Sequence, residues 1–165
     1  MSSFQPVSAD LFFSRQDTND PRLGELVQAY SGSLSIQKDH TYVLGYPDDE
    51  GIHLNGGRPG AKEGPDRIRQ FLYRMTPPFG SPPPSLWEVG NLPSSSSLEQ
   101  RHAAAQKQAE LILSQGGRVL SFGGGHDYGY PDGAAFLEIA LAAEKRRPLV
   151  INFDAHLDVR STEKG

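Results

Sequence analysis

No cysteine occurs among the 165 residues, and there is a single tryptophan. The absence of cysteine excludes a disulfide framework, a thiolate nucleophile and any cysteine-ligated zinc site. Positive charge is not in excess either. Sixteen Lys and Arg stand against 20 Asp and Glu, a net charge of -4, so the electrostatic footprint of a nucleic-acid binder is missing. Uninterrupted apolar runs are short, and none approaches the ~20 residues needed to cross a bilayer. The opening MSSFQPVSADLFF does not place a basic region before an apolar one, as a secretory leader does. The expectation is a soluble, cytoplasmic protein acting on a small molecule, with neither nucleic acid nor membrane as partner.

What is there reads as an ordinary globular chain, 36% hydrophobic and 22% charged, of a length for one domain with a real core. Residues 1–40 are polar and weakly periodic, an N-terminal arm with one or two helical turns, and residues 41–165 form the patterned unit. TYVLGYP predicts a strand near 41–46, and the Gly-rich, charged run after it predicts a loop. PDRIRQFLYRM predicts a helix over 65–75, with Pro65 in its first turn and Ile68, Leu72 and Met75 on one face. The proline-rich 76–85 is a surface loop, and LWEVGN a possible short strand.

Ser97 and Gln100 form a capping box that opens a helix over 98–115, with Ala105, Ala109, Ile112 and Leu113 on one face. RVLSF predicts a strand over 118–122. A helix over 131–146 follows, with Phe136, Ile139, Ala140 and Ala143 at helical spacing. PLVINFD predicts a strand over 149–154, apolar almost throughout, as one buried on both faces would be. Helix and strand in alternation imply an α/β fold with a parallel sheet.

Two stretches carry chemistry: LSFGGGHDYG at 120–129 and LVINFDAHLDVRS at 149–161. Parallel strands joined by a helix end on the same edge of the sheet, where ligand sites of open α/β sheets collect. His126 follows the first strand and Asp154 closes the second. Asp154, His156 and Asp158 alternate, so an extended backbone points all three to one side. A concentration of carboxylates and imidazoles there is costly unless a cation neutralises it, since carboxylate repulsion and desolvation would otherwise raise the carboxyl pKa values. Without thiolate, the set suits Mn2+, Mg2+, Fe2+ or Zn2+, and its carboxylates lean towards Mn2+. Asp154, between the two histidines, could bridge two ions. Taken singly, D-x-H is commonly a surface loop and GGG a tight turn. The glycine run could also cradle a phosphate at a helix N-terminus, although it has neither the Lys-Ser/Thr of a nucleotide loop nor G-x-G-x-x-G.

GGGHD (123–127) and FDAHLDVR (153–160) resemble the ureohydrolase superfamily of arginases, agmatinases and formimidoylglutamases. The upstream GYPDDEGIHLNGGRPGAKEGPDRIR (45–69) is similar to formimidoylglutamases in particular. The resemblance implies a three-layer αβα fold around a parallel sheet, arginase-like and incomplete in this chain. It also implies a binuclear Mn2+ centre that hydrolyses N-formimidoyl-L-glutamate to L-glutamate and formamide in histidine degradation. His126 and Asp158 would hold the first ion and His156 the second, with Asp154 bridging. Asp158 would also orient the attacking hydroxide, and Arg160 would contact the amino-acid end of the substrate, or else be a surface arginine. Asn55, Arg58 and Glu63 are rim or loop residues, while His40, His53 and His102 carry no expected chemistry, His102 facing solvent from its helix.

The superfamily draws its remaining ligands from an Asp-x-Asp in a second half, whereas only VRSTEKG follows Asp158. Residues 41–165 are thus expected to be the N-terminal half of an arginase-like domain. Such a half would be inactive alone and would associate with a second copy or with a second half. The alternatives are an agmatinase- or arginase-type guanidine hydrolase and a non-enzymatic metal-binding half-domain.

Overall fold

The computed structural model describes residues 4–30, 35–78, 85–143 and 147–156. In chain order the elements are helix α1 (Leu23–Leu26), strands β1 (Gln28–Ala29) and β2 (Thr41–Gly45), helices α2 (Glu50–Leu54) and α3 (Gly64–Leu72), strand β3 (Leu86–Asn91), helix α4 (Leu98–Ser114), strand β4 (Arg118–Phe122) and helix α5 (Gly129–Ala142). The four strands form one parallel sheet in the order β1-β3-β2-β4. Gly45 pairs with Asn91 on one side and Phe122 on the other, so β2, β3 and β4 end on a common edge.

Side-chain alternation along the strands divides the core into two faces. Tyr42, Leu44, Tyr46 and Val89 pack with Ala105 and Ile112 of α4, and α5 lies alongside α4 with Pro131 and Ala135 buried. The opposite face receives α3. This is the αβα layering expected, and the helix after Ser97 and the strand 118–122 fall where the sequence puts them. The capping box is formed, with Gln100 N donating to Ser97 Oγ at 3.4 Å and Ser97 N to Gln100 Oε1 at 3.2 Å.

Four expectations need correcting. The segment after β2 is not only loop, because α2 forms within it. Asp48 accepts from Glu50 N at 2.9 Å, and Asp49 accepts from Gly60 N and Lys62 N, each at 2.9 Å. These bonds fold the glycine-rich run back on itself. The helix α3 turns a different face inward. Ile68 and Met75 are 41% and 56% exposed, whereas Pro65, Arg69 and Tyr73 are buried. Arg69 Nε and Nη2 donate to the two oxygens of Glu88 at 2.7 and 2.8 Å, Nη1 donates to Asn91 Oδ1 at 2.8 Å, and Tyr73 donates to Glu88. A fork-to-fork pair of this kind holds a charge in the core that periodicity alone would place in solvent.

The third correction concerns α5. It begins at Gly129 and buries Pro131 and Ala135 rather than Phe136, which is 36% exposed. The fourth is the strand expected at 149–154. It is not formed: the segment takes no part in the sheet. Leu149, Val150, Ile151 and Phe153 are 59–96% exposed. An apolar strand of a parallel sheet is held by layers over both faces, and no described element covers this run. The N-terminal segment does join the sheet, through β1 and through an antiparallel bridge between Gln5 and Asn91.

The Arg69–Glu88 pair sets the distance between α3 and the sheet, and Gly45 belongs to the same arrangement. A Cβ there would lie 2.0 Å from Asn91 Oδ1 and 2.8 Å from Arg69 Nη1. Truncating one partner of a buried ion pair leaves the other charge unpaired, at a cost of about 3–5 kcal/mol. Arg69→Leu is therefore expected to lower the unfolding free energy, measured by urea denaturation, by that order. Arg69→Leu combined with Glu88→Leu should recover much of the loss.

Candidate metal centre

The site is assembled at the edge where β2, β3 and β4 end. Phe122 closes β4, and Gly123 and Gly124 turn the chain with φ of +69° and +78°. A Cβ at Gly123 would lie 2.4 Å from Pro65 Cδ, and one at Gly124 would lie 2.8 Å from both Tyr46 O and Tyr128 Cδ2. The turn can therefore press against the sheet only because these residues have no side chain. A single 3-10 turn, His126–Tyr128, follows and leads into α5.

Of its three residues, Tyr128 points inward. Its ring stacks on Tyr46 at 4.6 Å, and its hydroxyl donates to Asp48 Oδ2 at 2.6 Å. Asp48 Oδ2 also accepts from Arg101 Nε at 2.7 Å, and Arg101 reaches Glu50 as well. Burial pushes the Asp48 carboxyl up, but hydrogen bonds from Tyr128, Glu50 N and Arg101 outweigh it, and its pKa lies below the ordinary value. Burial likewise raises the Tyr128 hydroxyl, so the phenol stays a donor.

His126 is left on the outside of the turn, its side chain 55% exposed. Its Nδ1 lies 3.1 Å from Asp154 Oδ2. On the other side of the same carboxylate, His156 Nδ1 lies 3.2 Å from Oδ1, and His156 N donates to Oδ1 at 2.7 Å. Thus the structure brings together three of the four residues expected to ligate metal, even though 149–154 is not a strand. Asp158, the fourth, and Arg160 lie outside the described residues.

Among the described residues, no group of three or more His, Asp and Glu side chains is arranged to hold a metal ion. Each imidazole instead addresses its own oxygen of Asp154, giving two corners, His126–Asp154 and Asp154–His156. A carboxylate flanked in this way has the donor set of a bridge between two cations, with nitrogen and oxygen donors and no sulfur.

Two of the three histidines expected to be silent, His40 and His102, are in fact engaged. His40 Nδ1 lies 3.1 Å from Trp87 Nε1. His102 does not face solvent: its Nε2 lies 2.7 Å from Asp127 Oδ2, and its ring stands edge-on to Tyr128 at 4.8 Å. Sequence reasoning missed this pair, although His102 precedes Ala105, Ala109 and Ile112 by three, seven and ten residues and so shares their inward stripe. Asn55 closes α2 with Nδ2 donating to Gly51 O at 3.1 Å, while Arg58 and Glu63 are exposed.

The backbone N–H of His156 is the first cause that lowers the Asp154 pKa. Partial burial opposes it, and the His156 and His126 rings add to it. A carboxyl depressed in the folded state contributes stability above the ordinary Asp range and loses it as pH falls through the lowered pKa. A carbon-detected NMR titration is expected to place Asp154 below the reference of about 3.9. His156→Ala should raise the midpoint part of the way, since the backbone donor remains. An unshifted Asp154 would contradict the geometry.

Comparison with known proteins bears on this arrangement. A model of the arginase family matches residues 39–165. The formimidoylglutamase of Salmonella paratyphi A is 34% identical across 100% of this chain and 53% of its own length. Among solved structures, a variant of Trypanosoma cruzi formiminoglutamase with Mn2+2 superposes with a TM-score of 0.62 at 33% identity, over 74% of this chain and 41% of that one. The formimidoylglutamase of Bacillus subtilis superposes with a TM-score of 0.71 over 93% of this chain and 47% of that one, a likeness of fold at 23% identity. The chain spans about half the length of the curated relatives it matches.

Proposed function

The chain belongs to the arginase family, and from that membership we propose that it supplies one side of a binuclear Mn2+ site in a hydrolase of linear amidines. The substrate that fits best is N-formimidoyl-L-glutamate, cleaved with water at its C–N bond to L-glutamate and formamide. One observation carries the reading: His126 and His156 address opposite oxygens of Asp154 at the sheet edge. Formimidoylglutamases among the relatives favour an amidine over agmatine or arginine.

In this reading His126 and Asp158 would hold the first ion and His156 the second, with Asp154 shared between them. Manganese bound there would activate water and polarise the amidine carbon. Asp158 would accept a hydrogen bond from the attacking oxygen and orient it. Arg160 would pair with a substrate carboxylate, for which a guanidinium fork is suited. Tyr128 and Asp48 keep the His126 turn fixed while the substrate binds.

Within these 165 residues the first ion would have three ligands, His126, Asp154 and Asp158, and the second only Asp154 and His156. Affinity follows ligand number and the firmness with which each ligand is held. Titration calorimetry of the chain is expected to show weak binding of at most one Mn2+. His126→Ala should abolish the binding and His156→Ala should weaken it modestly. The hydrolytic reading is tested by Mn2+-dependent formamide release on the longest natural chain that contains this sequence. Release from N-formimidoyl-L-glutamate supports it. Turnover of agmatine or arginine instead identifies a guanidine hydrolase, and metal binding without turnover identifies a non-enzymatic module.

The uncovered apolar run 149–153 supports a further reading, that the chain associates with protein that covers it, either a second copy or a complementary half. Sedimentation velocity is expected to show species above the 18.0 kDa monomer. A single monodisperse monomer would count against association with a second copy.

A further inference from the structure

Resting on the metal-binding role proposed for His126, we propose that His102 is a positioning residue for it, acting through Asp127. The turn that carries His126 has two further residues, and His102 touches both. Its Nε2 lies 2.7 Å from Asp127 Oδ2, and its ring edge meets Tyr128 at 4.8 Å and 86°. An ionised carboxylate only accepts hydrogen bonds, so His102 Nε2 bears the proton and donates.

The Asp127 carboxylate has nowhere else to go. It is wedged between two glycines: a Cβ at Gly51 would lie 2.5 Å from Asp127 Cγ and Oδ1, and one at Gly125 would lie 2.1 Å from Oδ1. Three segments therefore meet on this one group: α4 through His102, α2 through Gly51, and the glycine turn through Gly125. The neighbouring Arg101 fixes the same stretch of α4 to Asp48, which also receives the Tyr128 hydroxyl. With Tyr128 held from below and Asp127 from the side, the direction of the His126 side chain towards Asp154 is set by its two successors. His102 and Asp127 are 20% and 22% exposed, so their hydrogen bond is shielded from competing water.

The test separates the donated proton from the ring that carries it. His102→Phe keeps an aromatic edge against Tyr128 and removes the donor, and His102→Gln restores a donor without the ring. The ring signals of His126 in the metal-free chain, identified by their loss in His126→Asn, report its orientation directly. We expect one set of signals in the wild type and in His102→Gln, and shifted or doubled signals in His102→Phe. Loss of an outer-shell partner costs about 10–100-fold in metal affinity, so Mn2+ binding should weaken by that order in His102→Phe and recover in His102→Gln.

His102→Ala, with imidazole added back to restore the His126 signals, serves if His102→Phe does not fold. The proposal is overturned if His102→Phe leaves the His126 signals unchanged, or if His102→Gln behaves like His102→Phe. Failure of the wild type to bind Mn2+ removes the metal-site reading, and the metal-free His126 signals still decide the role of His102.

Discussion

The buried hydrogen bond from Tyr128 to Asp48 is the constraint on which the rest of this structure turns. It joins the residue just before α5 to one three residues past the end of β2, across 80 positions of sequence. Arg101 closes the same bond from α4, so one carboxylate ties together the sheet edge and both helices of one layer. Burying Asp48 costs free energy, and only its several donors make the ionised form the stable one. The result is a rigid floor beneath a turn whose outermost residue is His126. In the proposed metal site His126 would have to be aimed as well as present, and the proposal gives that task to residues that touch no ligand.

A second charge pair plays the matching part on the other face. Arg69 and Glu88 are enclosed between α3 and the sheet, with Asn91 and Tyr73 completing the network. Pro65, at the start of the same helix, presses on Gly123, so the position of α3 is felt at the glycine turn. Ionic contacts fix the layers at the sheet edge, while Tyr42, Leu44, Val89, Ala105 and Ile112 provide the apolar bulk behind it.

Much of this was legible in the sequence, for local reasons. The capping box at Ser97, the strand 118–122 and the glycine turn are all specified by residues within a few positions of one another, and each formed where expected. What periodicity misread depends on partners far along the chain. Arg69 turns inward because Glu88, 19 residues later, meets it, and α2 forms because Asp48 and Asp49 bind the backbone around it. His102 was placed in solvent because histidine is polar, although its spacing to Ala105 put it on the buried stripe. The run 149–154 failed differently. Its composition suits a strand, but composition does not supply the layers that hold one, and in this structure Asp154 reaches His126 without the sheet.

The central claim is that His126 and His156 flank one bridging carboxylate, Asp154. Anomalous diffraction from crystals soaked at saturating Mn2+ tests it most directly. The account predicts a manganese peak in the corner between His126 and Asp154, within bonding distance of both. A peak elsewhere on the chain, or none with His126 turned away from Asp154, would contradict it.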